Sequence, residues 1–93
     1  GLSKIIDLPA VVDLDAIDDV RDRLIEAIHA GPVTVSGSRV ERVSTNALLM
    51  LISAAVTARR NGYALAVTRL SEPMQSAIAR LGLMPSFAGM MKG

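Results

Sequence analysis

The sequence predicts an α/β fold, a small sheet of mostly parallel strands packed against α-helices, on three observations. Short β-branched runs alternate with segments of helical period in the order strand, helix, strand, helix, strand, helix, which calls for parallel strands joined by helical crossovers. Small polar residues stand where helices should begin, and glycines stand where they should end. The run Ala64-Leu65-Ala66-Val67 is apolar throughout, as expected of a strand covered on both faces.

Taken in order, Lys4-Ile5-Ile6-Asp7-Leu8 reads as a strand stopped by Pro9, with Val11-Val12 extending the same edge. Ile17, Val20, Leu24, Ala27 and Ile28 then recur at three- and four-residue steps while Asp18, Asp19, Arg21, Asp22, Arg23 and Glu26 fill the other face. That spacing predicts an amphipathic helix over 14–29, capped by Asp13 or Asp15. Ala30-Gly31-Pro32 ends it, Val33-Thr34-Val35 forms the next strand, and Ser36-Gly37-Ser38 turns the chain. Val40 and Val43 precede a Ser44 cap, from which the second helix runs to Arg60 and closes on a left-handed Asn61-Gly62. The third strand covers 63–68. Ser71-Glu72-Pro73 opens the last helix, with Met74, Ala77, Ile78 and Leu81 on its apolar face and Gly82 at its end. The tail from Met84 is expected to be a short edge strand that frays over 88–93.

With 93 residues the chain is read as one domain spanning 1–93, and 51% hydrophobic residues with only Tyr63 and Phe87 as aromatics imply an aliphatic core. The absence of cysteine removes disulfides and thiolate metal sites. The longest uncharged stretch, 43–58, ends at Arg59-Arg60 and is shorter than the roughly 20 residues a spanning helix needs. Direct membrane insertion is therefore not expected, and a cytoplasmic location is. The net charge of +1 conceals a separation: seven acids and three bases precede Gly31, two acids and seven bases follow from it. That asymmetry either steers a partner or is neutralised when the two halves pack together, the second being the expectation.

Enzyme chemistry finds no constellation. A single histidine, His29, stands near a helix C-terminus where an imidazole caps, and no nucleophile-base arrangement or phosphate-cradling glycine loop accompanies it. Asp13, Asp15, Asp18 and Asp19 form the densest carboxylate group. A helix N-terminus favours acids without any ion, however, and the glycine and distal glutamate of a calcium loop are missing, so no metal and no cofactor are expected. Arg39, Arg42, Arg59, Arg60, Arg69 and Arg80 are dispersed and lack an aromatic stacking platform, which argues against nucleic acid.

The informative segment is Val43-Ser44-Thr45-Asn46-Ala47-Leu48-Leu49-Met50-Leu51-Ile52, where hydroxyl and amide residues give way to a very apolar helix. Ser44, Thr45 and Asn46 suit a first helical turn, whose unpaired N–H groups also attract anions. Leu49, Met50, Ile52 and Val56 leave apolar residues all round this helix, more than one core-facing stripe uses. Either the sheet and its neighbouring helices bury the surplus, or a partner protein or a homodimer covers it.

Three stretches resemble the STAS domain, the fold of bacterial anti-sigma-factor antagonists, over nearly the whole chain. They are 8–13, similar to the strand before the family's acidic turn; 33–43, similar to its central strand and valine-anchored loop; and 71–83, similar to its last helix and terminal Gly-Leu. The signature helix of that family typically begins Asp-Ser-Ser-Gly or Asp-Ser-Thr-Gly, and the first hydroxyl residue is phosphorylated by a kinase that doubles as the anti-sigma factor. Here the motif reads Ser44-Thr45-Asn46-Ala47, with Ser44 in place of Asp and Ala47 in place of Gly, and Ser36 stands where the family often has Asp.

The resemblance implies a non-enzymatic regulatory module for protein–protein interaction, with Thr45 as the phosphoacceptor candidate. It implies docking through Arg39, Arg42, Ser44, Thr45, Asn46, Leu48, Leu49 and Arg60 onto an anti-sigma-factor kinase or a chemotaxis-type histidine kinase. The alternative it implies is a constitutive STAS subunit of a lipid-transport ABC complex, docked on the transporter ATPase without a phosphoswitch. At Thr45 a phosphate would add about −1.5 to −2 charges, whereas a purely structural reading leaves Ser44, Thr45 and Asn46 as a helix cap.

Overall fold

A computed structural model describes residues 4–90. Lys4–Asp7 (β1), Val33–Ser36 (β3) and Leu65–Thr68 (β5) form a parallel sheet in the order β1-β3-β5, and Val11–Val12 (β2) pairs in parallel with Arg42–Val43 (β4) as a separate two-stranded ribbon. The helices are Leu14–Ile28 (α1), Thr45–Arg60 (α2), Glu72–Arg80 (α3) and Met84–Ala88 (α4). The mixed α/β class with parallel strands packed against helices is as expected.

Register explains the core. Ile6, Val35 and Val67 lie in one row across the sheet, with Val33 and Leu65 on the same face, and all are buried. Against this face pack Val20, Leu24 and Ile28 of α1 and Leu48 and Leu51 of α2, each nearly inaccessible to solvent. The reverse face carries Ile5, Thr34 and Ala66 in the adjacent row, and there Ile5 is exposed and the other two half-buried. The expectation that the third strand is covered on both faces is therefore corrected: Leu65 and Val67 are buried, Ala66 and Thr68 only half so.

Val11-Val12 does not extend the β1 edge. Pro9 lacks an N–H and breaks the ladder, and the chain turns so that the Ala10 carbonyl accepts from both Glu41 N–H (2.7 Å) and Arg42 N–H (3.0 Å). The tail is also corrected. Instead of an edge strand it forms α4, with Pro85 in the first turn, and Phe87 is fully buried. Beyond it Met90 is only 6% exposed, and its carbonyl accepts from Val67 N–H at 2.7 Å, which ties 88–90 to the sheet. The remainder of the expected fraying tail, 91–93, lies outside the described residues.

Helix boundaries follow their caps. Asp13 Oδ1 accepts from Asp15 and Ala16 N–H at 3.0 and 3.2 Å, which selects Asp13 over Asp15 as the cap of α1. At the ends of α2 and α3 the left-handed residues are Gly62 (φ 83) and Gly82 (φ 70). The following N–H groups reach back to the last turns, Tyr63 to Ala58 O and Leu83 to Ile78 O, which satisfies carbonyls the helix leaves unpaired. Among the described residues no direct ion pair joins the acidic segment before Gly31 to the basic one after it. The ion pairs among the described residues are Arg21–Asp18 (3.4 Å) and Arg23–Asp19 (3.2 Å), both exposed and both within α1.

Candidate interaction site at the start of α2

The start of α2 is set by three attachments. Ser44 N–H donates to Val12 O at 2.9 Å, closing the β2–β4 ribbon, and the Ser44 hydroxyl accepts from Ala47 N–H at 3.1 Å as the helix cap. On the far side of the preceding loop, Ser71 at the cap of α3 donates its hydroxyl to Val40 O at 2.6 Å and accepts from Met74 N–H at 3.2 Å. Gly37 lies beneath. A Cβ placed there would sit 2.7 Å from Met74 Sδ, and the Gly37 carbonyl accepts from both Val40 and Ser71 N–H at 3.2 Å. The side chain of Val40 is 1% exposed, so the loop is anchored into the core as well as along its backbone.

Above this support the Thr45 and Asn46 side chains are exposed, and their N–H groups, at the positive end of the helix, have no acceptor among the described residues. Ser44 is half-buried and committed to the cap. Leu48 is corrected as a contact residue, because it is 0% exposed and packs in the core beside Ala47 and Leu51. Its neighbour Leu49 is 45% exposed. The spacing of Thr45, Leu49, Ile52, Val56 and Arg60 places them along one face of α2, and that face is the open one: Val56 is 44% exposed, Ile52 half-buried and Arg60 exposed. At 1.5 Å per residue the stripe runs about 22 Å from Thr45 to Arg60.

Arg39 and Arg42 stand apart from this stripe and from each other. Arg39 lines a groove beside β1 with Lys4, Asp7 and Glu26, whereas Arg42 lines a cleft with Glu41, Pro73, Ser76 and Arg80 of the α3 side. Both are exposed, and neither forms an ion pair among the described residues. Ser36, at the end of β3, is buried, and its hydroxyl is 3.4 Å from that of Ser38. His29 closes α1, its Nδ1 2.6 Å from the Ile25 carbonyl; a carbonyl only accepts, so Nδ1 carries the proton.

Of the carboxylates weighed as an ion site, Asp13 is occupied as a cap and Asp18 and Asp19 pair with arginines; among the described residues no three His, Cys, Asp or Glu converge. Nor, among them, is any helix long and apolar enough to cross a membrane. Sequence reasoning missed Gly37, Ser71 and Ala10 as the supports of the site. Gly37 and Ser71 carried local signals, as a turn glycine and as the first residue of a capped helix, whereas Ala10 carried none.

The family described as Mlab, STAS domain matches residues 3–85 of the chain. No protein of curated function matches it. Among solved structures the chain is similar to the crystal structure of a sulfate transporter family protein from Wolinella succinogenes, with a TM-score of 0.68 at 15% identity, over 96% of this chain and 75% of that one. At that identity the likeness is one of fold.

Proposed function

Because the chain belongs to the STAS domain family, whose domains are in general non-catalytic interaction modules, we propose that it is a docking subunit that engages a protein partner through the Thr45–Arg60 face of α2. The observation that carries the reading is the pair of exposed apolar residues Leu49 and Val56, with half-buried Ile52 between them, on a helix whose Ala47, Leu48, Leu51 and Ala58 are buried in the core. Such a stripe favours a partner offering apolar side chains along its length, with acidic groups opposite Arg59 and Arg60. The departures from the family's phosphoswitch motif, Ser44 in place of Asp and Ala47 in place of Gly, favour a constitutive subunit of a transport complex, held on its ATPase, over an anti-sigma-factor antagonist.

A second reading, regulation by phosphorylation, is favoured by one observation. Thr45 is exposed at the head of the stripe and heads a helix N-terminus that accommodates a phosphate electrostatically. There the added charge would enter an otherwise apolar contact and oppose docking. Purification of the tagged chain from its native cells, with and without ATP, tests both readings. A partner retained in fixed stoichiometry with unmodified Thr45 supports the constitutive subunit. Release on ATP with phosphate on Thr45 supports the switch, and the absence of any stoichiometric partner contradicts both.

A further inference from the structure

Beside the head of α2 two arginines share one cleft. Pro73, Ser76, Ala77 and Arg80 recur at three- and four-residue steps and so lie on one face of α3, which packs against β4. Between them and Glu41, Arg42 and Val43 opens a cleft of about 440 Å³. Ala77 is buried at its floor, Val43 is half-buried, and Glu41, Arg42, Pro73, Ser76 and Arg80 are exposed. Neither arginine forms an ion pair among the described residues, and Glu41 pairs with neither although it lines the same cleft. Two guanidinium groups and one carboxylate leave the cleft one net positive charge. Arg42 precedes Thr45 by three residues, which keeps it within about 10 Å of backbone from the head of the open α2 face.

We propose that the Arg42–Arg80 cleft is a carboxylate site, which holds one Asp or Glu side chain of the protein partner that docks on α2. The proposal rests on that docking reading and adds to it what the partner carries at one end of the contact. Charge selects the occupant. A single carboxylate neutralises the cleft, whereas a phosphate would set about −1.5 to −2 charges beside Glu41. The planar fork of each guanidinium matches a carboxylate, the Ser76 hydroxyl supplies a further donor, and Val43, Pro73 and Ala77 offer apolar surface to the methylenes of the entering side chain. Position matters as much. Arg59 and Arg60 close the far end of the α2 face, so acids at both ends of an apolar contact would fix the direction in which the partner lies along the helix.

Nuclear magnetic resonance of the whole chain, reading the arginine Nε–H signals at low ionic strength, tests the site with a capped glutamate amide as probe and inorganic phosphate in parallel. Saturable shifts at Arg42 and Arg80 are expected, with binding about fivefold weaker in Arg42→Gln or Arg80→Gln and tighter in Glu41→Gln. Equal shifts at every arginine, or binding unchanged in those variants, overturns the proposal. So does phosphate held more tightly than the carboxylate. In capture from native cells, Arg42→Gln combined with Arg80→Gln should lower recovery of the wild type's stoichiometric partner by about tenfold, each chain first shown to be folded by circular dichroism. Leu49→Glu separates this inference from the docking reading. Loss of the partner with Leu49→Glu but full recovery with the double arginine variant overturns the cleft's role and leaves docking on α2 intact. Full recovery with Leu49→Glu overturns the docking reading itself, and with it the assignment of the cleft to that partner.

Discussion

The Ser71 hydroxyl donates to the Val40 carbonyl across 31 residues of sequence, at 2.6 Å, while the same oxygen caps α3 through Met74 N–H. One side chain thus fixes a helix start and the loop that leads to the α2 interaction face. Ser71→Ala removes both bonds and leaves a part-buried carbonyl without its donor, which should cost about 1–3 kcal/mol. Thermal unfolding followed by circular dichroism checks this; an unchanged midpoint would show that the loop is held by its backbone bonds alone.

Gly37 has no room for a side chain. Gly37→Ala should destabilise by about 1–3 kcal/mol through overpacking against Met74 Sδ. Adding Met74→Leu, which moves the atom that clashes, should recover part of the loss if the clash is its cause.

At the head of α2 the two hydroxyl residues should separate. Ser44→Ala should cost about 1 kcal/mol by loss of the cap, whereas Ser44→Asp, another good cap residue, should cost little. Thr45→Ala and Thr45→Glu should each leave stability within about 0.5 kcal/mol, since the side chain is exposed. Denaturant titration distinguishes them, and a large loss at Thr45 would mean that its role is structural.

Phe87→Ala should destabilise by about 3–5 kcal/mol, because the ring is fully buried. A loss under about 1 kcal/mol would return the tail to the loose end that its sequence implies.

The helices were legible because their signals are local. Ile17, Val20, Leu24 and Ile28 mark the face of α1, and Ser44, Ser71, Gly62 and Gly82 mark boundaries by their caps. The β2–β4 ribbon was not. Val11-Val12 finds Arg42-Val43 only because the turn at Pro9 presents the Ala10 carbonyl to Glu41 and Arg42, a relation between distant segments. The tail misled because Met84-Pro85 resembles an edge-strand start, while Pro serves equally in a helix's first turn. At the site the residue types placed the head of α2, but Leu48 and Leu49 are adjacent and equally apolar. Only packing shows that the first fills the core and the second faces outward.

The central claim is that the open face of α2 is where a partner binds. The most direct measurement is quantitative capture of proteins from native cells by the wild-type chain, by Leu49→Glu and by the α1 control Asp22→Lys, each first shown to be folded. The account predicts one stoichiometric partner recovered by the wild type and the control and at least tenfold less of it, a loss of about 1.4 kcal/mol or more in binding, with Leu49→Glu. Equal recovery by all three would contradict it.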